Sequence, residues 1–254
     1  MSRADPDLAA LMDATWPAAR YEKVGPFTLR EGRGGGSRVS AATVDNTDPA
    51  RPDAGGIEPV QIDAAEAAMY NMDQTPLFMI RPGDAALDAQ LDARGYELFD
   101  PVIAYACPVA QLTDIPLPRV TAFAIWEPLA IMREIWAAGG IGPARLAVME
   151  RAEGPKTGLL GRWDEKPGGA AFVAVHDGAA MLHALEILPH QRNKGLGKWM
   201  VRGAAFWAAE NGAGTLAAVC TRANAAANAL YASLGMAVVG QYHYRRDTTE
   251  KDSQ

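Results

Sequence analysis

The stretch that most constrains this chain is residues 180–203, AMLHALEILPHQRNKGLGKWMVRG, where an apolar run passes through Pro189 into a glycine-rich basic turn and then into a helical pattern. A strand that hands over to a helix through Arg192-Asn193-Lys194-Gly195-Leu196-Gly197 is suited to holding an anion. Gly195 and Gly197 permit a tight turn and a close approach of backbone to ligand, and the N–H groups of a first helical turn point outward unpaired. Arg192, Lys194 and Lys198 add positive charge at the same place. A pyrophosphate meets all of these conditions. A solvated basic turn uses the same residue types, so the surroundings of the motif have to decide between the two.

Those surroundings predict a mixed α/β chain. In the C-terminal half, hydrophobic periodicity and turn residues predict a strand at 120–125, an amphipathic helix at 128–138 and strands at 145–151, 157–163, 170–176 and 180–188. His176-Asp177-Gly178 is the expected hairpin turn. A helix at 195–211, a strand at 215–221, a helix at 224–234 and a strand at 236–244 follow. At 254 residues the chain exceeds one average domain of ~150 residues, and Pro116 and Pro118 interrupt any regular element at 112–119. Two domains, 1–115 and 119–254, are therefore expected. The first repeats part of the second's order, with strands at 38–44, 77–81 and 98–106 and helices at 57–72 and 84–94. A shift of 140 positions sets residues 77–96 beside 217–236 without a gap, pairing Asp84 with Asn224 as helix caps and Gly95 with Gly235 as helix terminators. Most identities in that window are alanines, so the repeat rests on caps, spacing and element order, and chance similarity of two helix-strand units is the alternative.

Twenty-seven residues beyond Gly197 a second block begins, Asn224-x-x-Ala227-x-x-Leu230-Tyr231-x-x-Leu234-Gly235-Met236, a capped helix with one tyrosine on a mostly apolar face. Together the two blocks resemble the GNAT acetyltransferase superfamily over residues 119–244. The resemblance implies the acyl-CoA N-acyltransferase fold, a mixed twisted sheet flanked by helices, in two GNAT-like domains of which the first is degenerate, and it implies acetyl-CoA as co-substrate. It further implies that backbone groups of Ile187 and Leu188 pair with the pantetheine arm. The N–H groups of Asn193, Lys194, Gly195, Leu196, Gly197 and Lys198, beside Arg192, would cradle the pyrophosphate. Asn224 would meet the pantetheine or cap its helix, and Tyr231 would stand beside the thioester sulfur. Ile187-Leu188-Pro189 keeps the family's pattern before the arginine, whereas Met236 replaces the usual aromatic.

Moving an acetyl group from a thioester to an amine requires that the ammonium lose a proton and that the leaving thiolate be stabilised. Tyr231 offers a donor of high pKa for the thiolate; its alternative is an aromatic anchor between helix and sheet. His183 is the first candidate base, because imidazole titrates near neutrality and the residue lies on the strand leading to the loop. Its strand is similar to that of serotonin N-acetyltransferase, where a histidine at the matching place lies in a proton path. A histidine packed in the sheet and bonded to a carbonyl is the alternative. Glu186 is the second candidate, acting through water; regular alternation puts it on the opposite face from His183 unless a bulge reverses the parity.

The rest of the chain excludes other chemistries. Cys107 and Cys220 each sit in a short apolar run, and the four histidines lack a helical His-x-x-x-His spacing, so neither a disulfide framework nor a metal site is expected. No apolar run reaches the ~18 residues of a membrane span, and Asp5 and Asp7 stand where a signal peptide needs basic residues. A cytosolic monomer or homodimer without membrane or nucleic-acid partners is expected. Residues 1–118 carry 9 basic and 18 acidic side chains against 15 and 12 in 119–254, so the halves stand at −9 and +3. That asymmetry would draw a cationic small-molecule or peptide amine toward the protein. Arg33-Gly34-Gly35-Gly36-Ser37-Arg38 could wrap phosphate, but no Gly-Lys-Ser/Thr ending follows and a glycine-rich hairpin into the strand at 38–44 explains it with less assumption. Where the first half should carry its own pyrophosphate loop, residues 46–56 are rich in Asp and Pro, and Leu91 stands where Tyr231 stands. The competing function is a non-catalytic acyl-CoA-binding regulatory module.

Overall fold

The computed structural model describes residues 7–45 and 56–248. In chain order the elements are α1 (Leu8–Thr15), β1 (Arg20–Val24), β2 (Phe27–Glu31), β3 (Thr43–Val44), α2 (Pro59–Tyr70), β4 (Leu77–Ile80), α3 (Ala85–Ala93), β5 (Glu97–Pro108) and the short α4 (Val109–Leu112). They continue as β6 (Ala122–Ile125), α5 (Ala130–Ala138), α6 (Pro143–Arg151), β7 (Lys156–Trp163), β8 (Lys166–His176), β9 (Ala179–Ile187), α7 (Leu196–Glu210), β10 (Thr215–Thr221), α8 (Ala225–Ser233) and β11 (Ala237–Arg246). The chain forms two compact units: Met1–Pro17, Ala104–Cys220 and Asn224–Val239 make the first, and Ala18–Ile103, Thr221–Ala223 and Gly240–Gln254 the second.

In the first unit the strand order is β5-β10-β9-β8-β7-β6. β6, β7, β8 and β9 pair antiparallel in succession, whereas β10 pairs with β9 in parallel. Glycines on β7 and β8 let helices approach both faces. A Cβ on Gly169 would lie 2.5 Å from Met200 of α7, while one on Gly158, on the opposite face, would lie 2.5 Å from Met132 of α5. This is the mixed sheet flanked by helices that the sequence predicts.

In the second unit the order is β4-β11-β5, and β1, β2 and β3 form a separate antiparallel sheet. Its core gathers Phe27, Leu29, Ile62, Met69, Phe78, Leu87 and Leu91, all under 2% exposed. The hairpin between β1 and β2 turns on Gly25 (φ 55°) and Pro26, the two-residue loop with glycine first that suits the strand twist.

Several expectations change. Residues 145–151 form α6 rather than a strand: Pro143 starts the helix, and Arg145, Leu146, Ala147, Met149 and Glu150 are all strong helix formers. At 38–44 only Thr43 and Val44 are a strand, because Ser37–Val39 close a single 3-10 turn behind Gly36 at φ 98°. The break expected at 112–119 lies inside the first unit, and residues 7–17 join that unit as well. The aspartate- and proline-rich segment expected in place of a second pyrophosphate loop lies, at 46–55, outside the described residues.

Candidate active site

The site begins where two parallel strands part. β9 and β10 pair from Ala179↔Thr215 to Leu182↔Ala218. Beyond that point β9 continues to Ile187 and β10 to Thr221, with no further pairing between them among the described residues. On the β8 side the Leu188 N–H donates to the Gly168 carbonyl (2.9 Å). Backbone groups alternate along an antiparallel strand, so Ile187 turns its N–H and C=O the other way, toward the opening. Leu188 does not share this orientation: besides its engaged N–H, its carbonyl accepts from Gln191 N–H (2.8 Å). Of the two backbone positions expected to meet a pantetheine arm, Ile187 turns toward the gap with its N–H, its carbonyl being engaged by Arg192.

A bulge in β9 decides which side chains share a face. Phe172 lies opposite His183 and Ala170 opposite Glu186, so two steps on β8 match three on β9. The extra residue is Ala184, at φ 50°, whose carbonyl accepts from the Trp136 indole (2.8 Å) of α5. The bulge reverses the parity, and His183 and Glu186 point to the same face. A Cβ on Gly139, at the end of α5, would lie 2.5 Å from Glu186 Oε2, so the glycine makes room for the carboxyl group.

His183 is 3% exposed, stacked 5.0 Å from Trp16 and 6.1 Å from Phe172. Its Nε2 lies 2.9 Å from Thr15 Oγ1. The Thr15 hydroxyl donates to the Leu11 carbonyl at 2.6 Å, which uses its one hydrogen. Thr15 is therefore the acceptor toward the ring, and a neutral His183 carries its proton on Nε2 and its lone pair on Nδ1. Glu186 is the more accessible of the two: its side chain keeps 19% exposure and accepts from Arg192 Nη2 (2.9 Å).

The basic turn follows directly. Arg192 Nε donates to the Ile187 carbonyl (2.9 Å), tying the start of the loop to the strand end. Asn193 (φ 60°) and Gly195 (φ 91°) are left-handed, and no side chain caps α7, so its first-turn N–H groups are available to an anion. A Cβ on Gly197 would touch Leu230 of α8 at 3.3 Å, which puts the loop beside that helix. Lys194 Nζ bonds Gln191 (3.3 Å), and Lys198 lies in the first turn of α7.

On α8, Asn224 Oδ1 accepts from Ala227 N–H (3.0 Å), so of its two expected roles it performs the cap. Tyr231 is 4% exposed, its ring 5.4 Å from that of Tyr105. Asn228 Oδ1 accepts from the Tyr105 hydroxyl (2.8 Å) and from the Cys220 thiol (3.4 Å). Burial pushes both Cys107 and Cys220 up to about 11, so neither is a thiolate at neutral pH. Asn228 and Tyr105 escaped the sequence reading; the only signal for Asn228 is its i+4 and i−3 spacing from Asn224 and Tyr231 on one helix face. Thr15 and Trp16 carried no signal, since nothing local marks a residue that acts 168 positions away. Among the described residues no cluster of three or more metal-ligating side chains occurs, and no helix is long and apolar enough to cross a membrane.

A parted pair of parallel strands followed by a glycine turn and an uncapped helix fits the pantetheine and pyrophosphate of acetyl-CoA, and comparison with known proteins points the same way. Residues 130–236 match the model of the acetyltransferase (GNAT) family. Among solved structures the fold resembles a GCN5-related N-acetyltransferase from Kribbella flavida, with TM-score 0.65, 20% identity and 94% of each chain covered. It also resembles a conserved protein of unknown function from Staphylococcus epidermidis, with TM-score 0.66, 10% identity and coverage of 93% and 96%. A tandem GNAT protein from the clavulanic acid biosynthesis pathway matches with TM-score 0.58, 16% identity and coverage of 82% of this chain and 74% of that one. Curated protein sequences give no match. The chain thus carries a domain of the acetyltransferase (GNAT) family across residues 130–236, in the acyl-CoA N-acyltransferase fold.

Proposed function

We propose that this chain is an N-acetyltransferase that moves the acetyl group of acetyl-CoA to a primary amine of a small molecule or peptide by direct attack on the thioester. The observation that supports it most is the parting of β9 from β10 immediately before the left-handed glycine turn and uncapped α7. Acetyl-CoA supplies the activated acyl group. Ile187 offers its backbone N–H to the pantetheine arm, and Asn193, Lys194, Gly195, Leu196, Gly197 and Lys198 surround the pyrophosphate with N–H donors and charge. Glu186, the accessible member of the pair on the shared face, takes the amine proton directly or through water. His183 lies deeper, with its Nδ1 lone pair set by Thr15, and serves as the next acceptor. Tyr231 donates to the departing thiolate. The first half is a degenerate GNAT-like domain, and the protein is cytosolic.

Free thiol release from acetyl-CoA in the presence of a panel of primary amines tests this reading. Amine-dependent release supports the enzyme; tight coenzyme A binding without release on any amine assigns the chain to the non-catalytic acyl-CoA-binding modules instead.

A further inference from the structure

One guanidinium holds two groups that the proposed acetyl transfer needs. Arg192 Nε donates to the Ile187 carbonyl (2.9 Å), and its Nη2 donates to Glu186 Oε1 (2.9 Å). The Ile187 carbonyl lies on the side of β9 that faces the gap before β10, and Glu186 is the accessible proton acceptor of the shared face. The second carboxylate oxygen lies over α5's end, since a Cβ on Gly139 would meet Oε2 at 2.5 Å. In the free protein, then, Arg192 holds one oxygen of Glu186 and the other packs against backbone. The hold is light: the Arg192 side chain is 55% exposed, and exposed ion pairs contribute little. Directly after Arg192 come the left-handed residues Asn193 and Gly195 and the uncapped start of α7. A pyrophosphate seated there offers a guanidinium a bidentate partner of higher charge than a single carboxylate.

We propose that Arg192 is a positioning residue that exchanges partners. In the free protein it holds Glu186 and the Ile187 carbonyl; with the pyrophosphate in place it turns to the phosphate and releases both. This exchange rests on the acetyl-transfer reading. Its consequence is an order of events, because Glu186 is freed to meet the amine only once the cofactor is seated. A ligand shifts such an equilibrium only by its different affinity for the two arrangements, and here the phosphate contact, set against the lost ion pair, supplies that difference. No covalent bond and no proton moves in the exchange.

Calorimetric titration of coenzyme A into the full chain, Glu186→Gln, Arg192→Met and the double variant tests the exchange without any turnover. Glu186→Gln keeps the shape of the side chain but weakens its hold on Arg192, so coenzyme A should bind ~3-fold more tightly than to the wild type. Arg192→Met, an exposed change, should bind it ~10-fold more weakly through loss of the phosphate contact. In the Arg192→Met background the gain from Glu186→Gln should vanish, since no guanidinium remains to be released. An equal gain in both backgrounds would reduce Glu186 to simple repulsion of the pyrophosphate and overturn the exchange. Absence of the gain in both backgrounds, or undiminished affinity in Arg192→Met, would overturn it as well. Coenzyme A binding in none of the four proteins would overturn the acetyl-transfer reading itself, and the exchange with it.

Discussion

The helices α3 and α8 sit at matching places in a repeat of 140 positions, and their contacts extend that repeat beyond the local sequence pattern. In the second unit Asp88 of α3 bonds Arg245 of β11. In the first, Asn228 of α8 bonds Tyr105 of β5. Residues 88 and 228 differ by 140, and so do 105 and 245, so each helix holds the strand supplied by the other half of the chain. Both helices end alike: Gly95 and Gly235 are left-handed, at φ 85° and 72°, and the next residue's N–H returns to Leu91 or Tyr231. The chemistry differs on this shared frame. Tyr231 carries a hydroxyl where Leu91 is a fully buried hydrocarbon, and an ion pair replaces the Tyr-Asn-Cys cluster. At these places one frame carries an ion pair and packed hydrocarbon, the other hydroxyl, amide and thiol groups.

Substitutions at the matching pair should separate these roles. Tyr231→Phe is expected to lower kcat by about 10²-fold or more with coenzyme A affinity unchanged, since the ring still packs while the donor is lost. Equal turnover, measured by thiol release at saturating acetyl-CoA, would make Tyr231 a packing residue like Leu91. Leu91→Ala should instead cost about 2–5 kcal/mol of stability in denaturant melts, with kcat per folded molecule unaltered.

The ion pair gives the comparison a pH dependence. Burial works against the Asp88 carboxylate, but hydrogen bonds from Arg245 and His243 outweigh it and hold its pKa below the ordinary value of 3.8. A lowered folded-state pKa contributes stability that is present above the unfolded pKa and lost as pH falls through the folded one. Asp88→Asn should therefore cost about 1–3 kcal/mol at pH 7, a difference that persists down to about pH 4 and closes below it. Asn228→Asp, the reciprocal exchange, should show no such closure toward acid, because Tyr105 and Cys220 supply no cation.

The smallest effect concerns the caps. Asn224→Ala should cost about 1 kcal/mol by removing the bond to Ala227 N–H. Asp84, its counterpart, accepts from Arg81 N–H (2.9 Å) instead and makes no cap bond to its helix, so Asp84→Ala should loosen the turn at 81–84 rather than fray α3. Hydrogen exchange of the first-turn amides of the two helices separates these outcomes.

Local chemistry was legible in the sequence. The strand, basic turn and helix at 180–210 and the cap at Asn224 stand close to where residue types put them, because glycine conformations and caps are set by near neighbours. What depends on distant partners was not legible. The parity of Glu186 turns on a bulge stabilised by Trp136, 48 positions away, and His183 is covered by a helix at the start of the chain. Residue types at 145–151 favour a helix, but the short continuous apolar run at 146–149 is too brief for periodicity to tell helix from strand. The division into units follows an exchange of β5 and β11 between halves, which no break in composition announces.

The central claim is that the turn at 192–197 binds acetyl-CoA through its pyrophosphate while its counterpart in the first half does not. Calorimetry of the full chain with coenzyme A tests it directly. One site per chain is expected, and Gly197→Glu should abolish it, since the new side chain meets Leu230 and sets a negative charge at the uncapped start of α7. Two equivalent sites in the wild type, or undiminished affinity in a folded Gly197→Glu protein, would contradict the account.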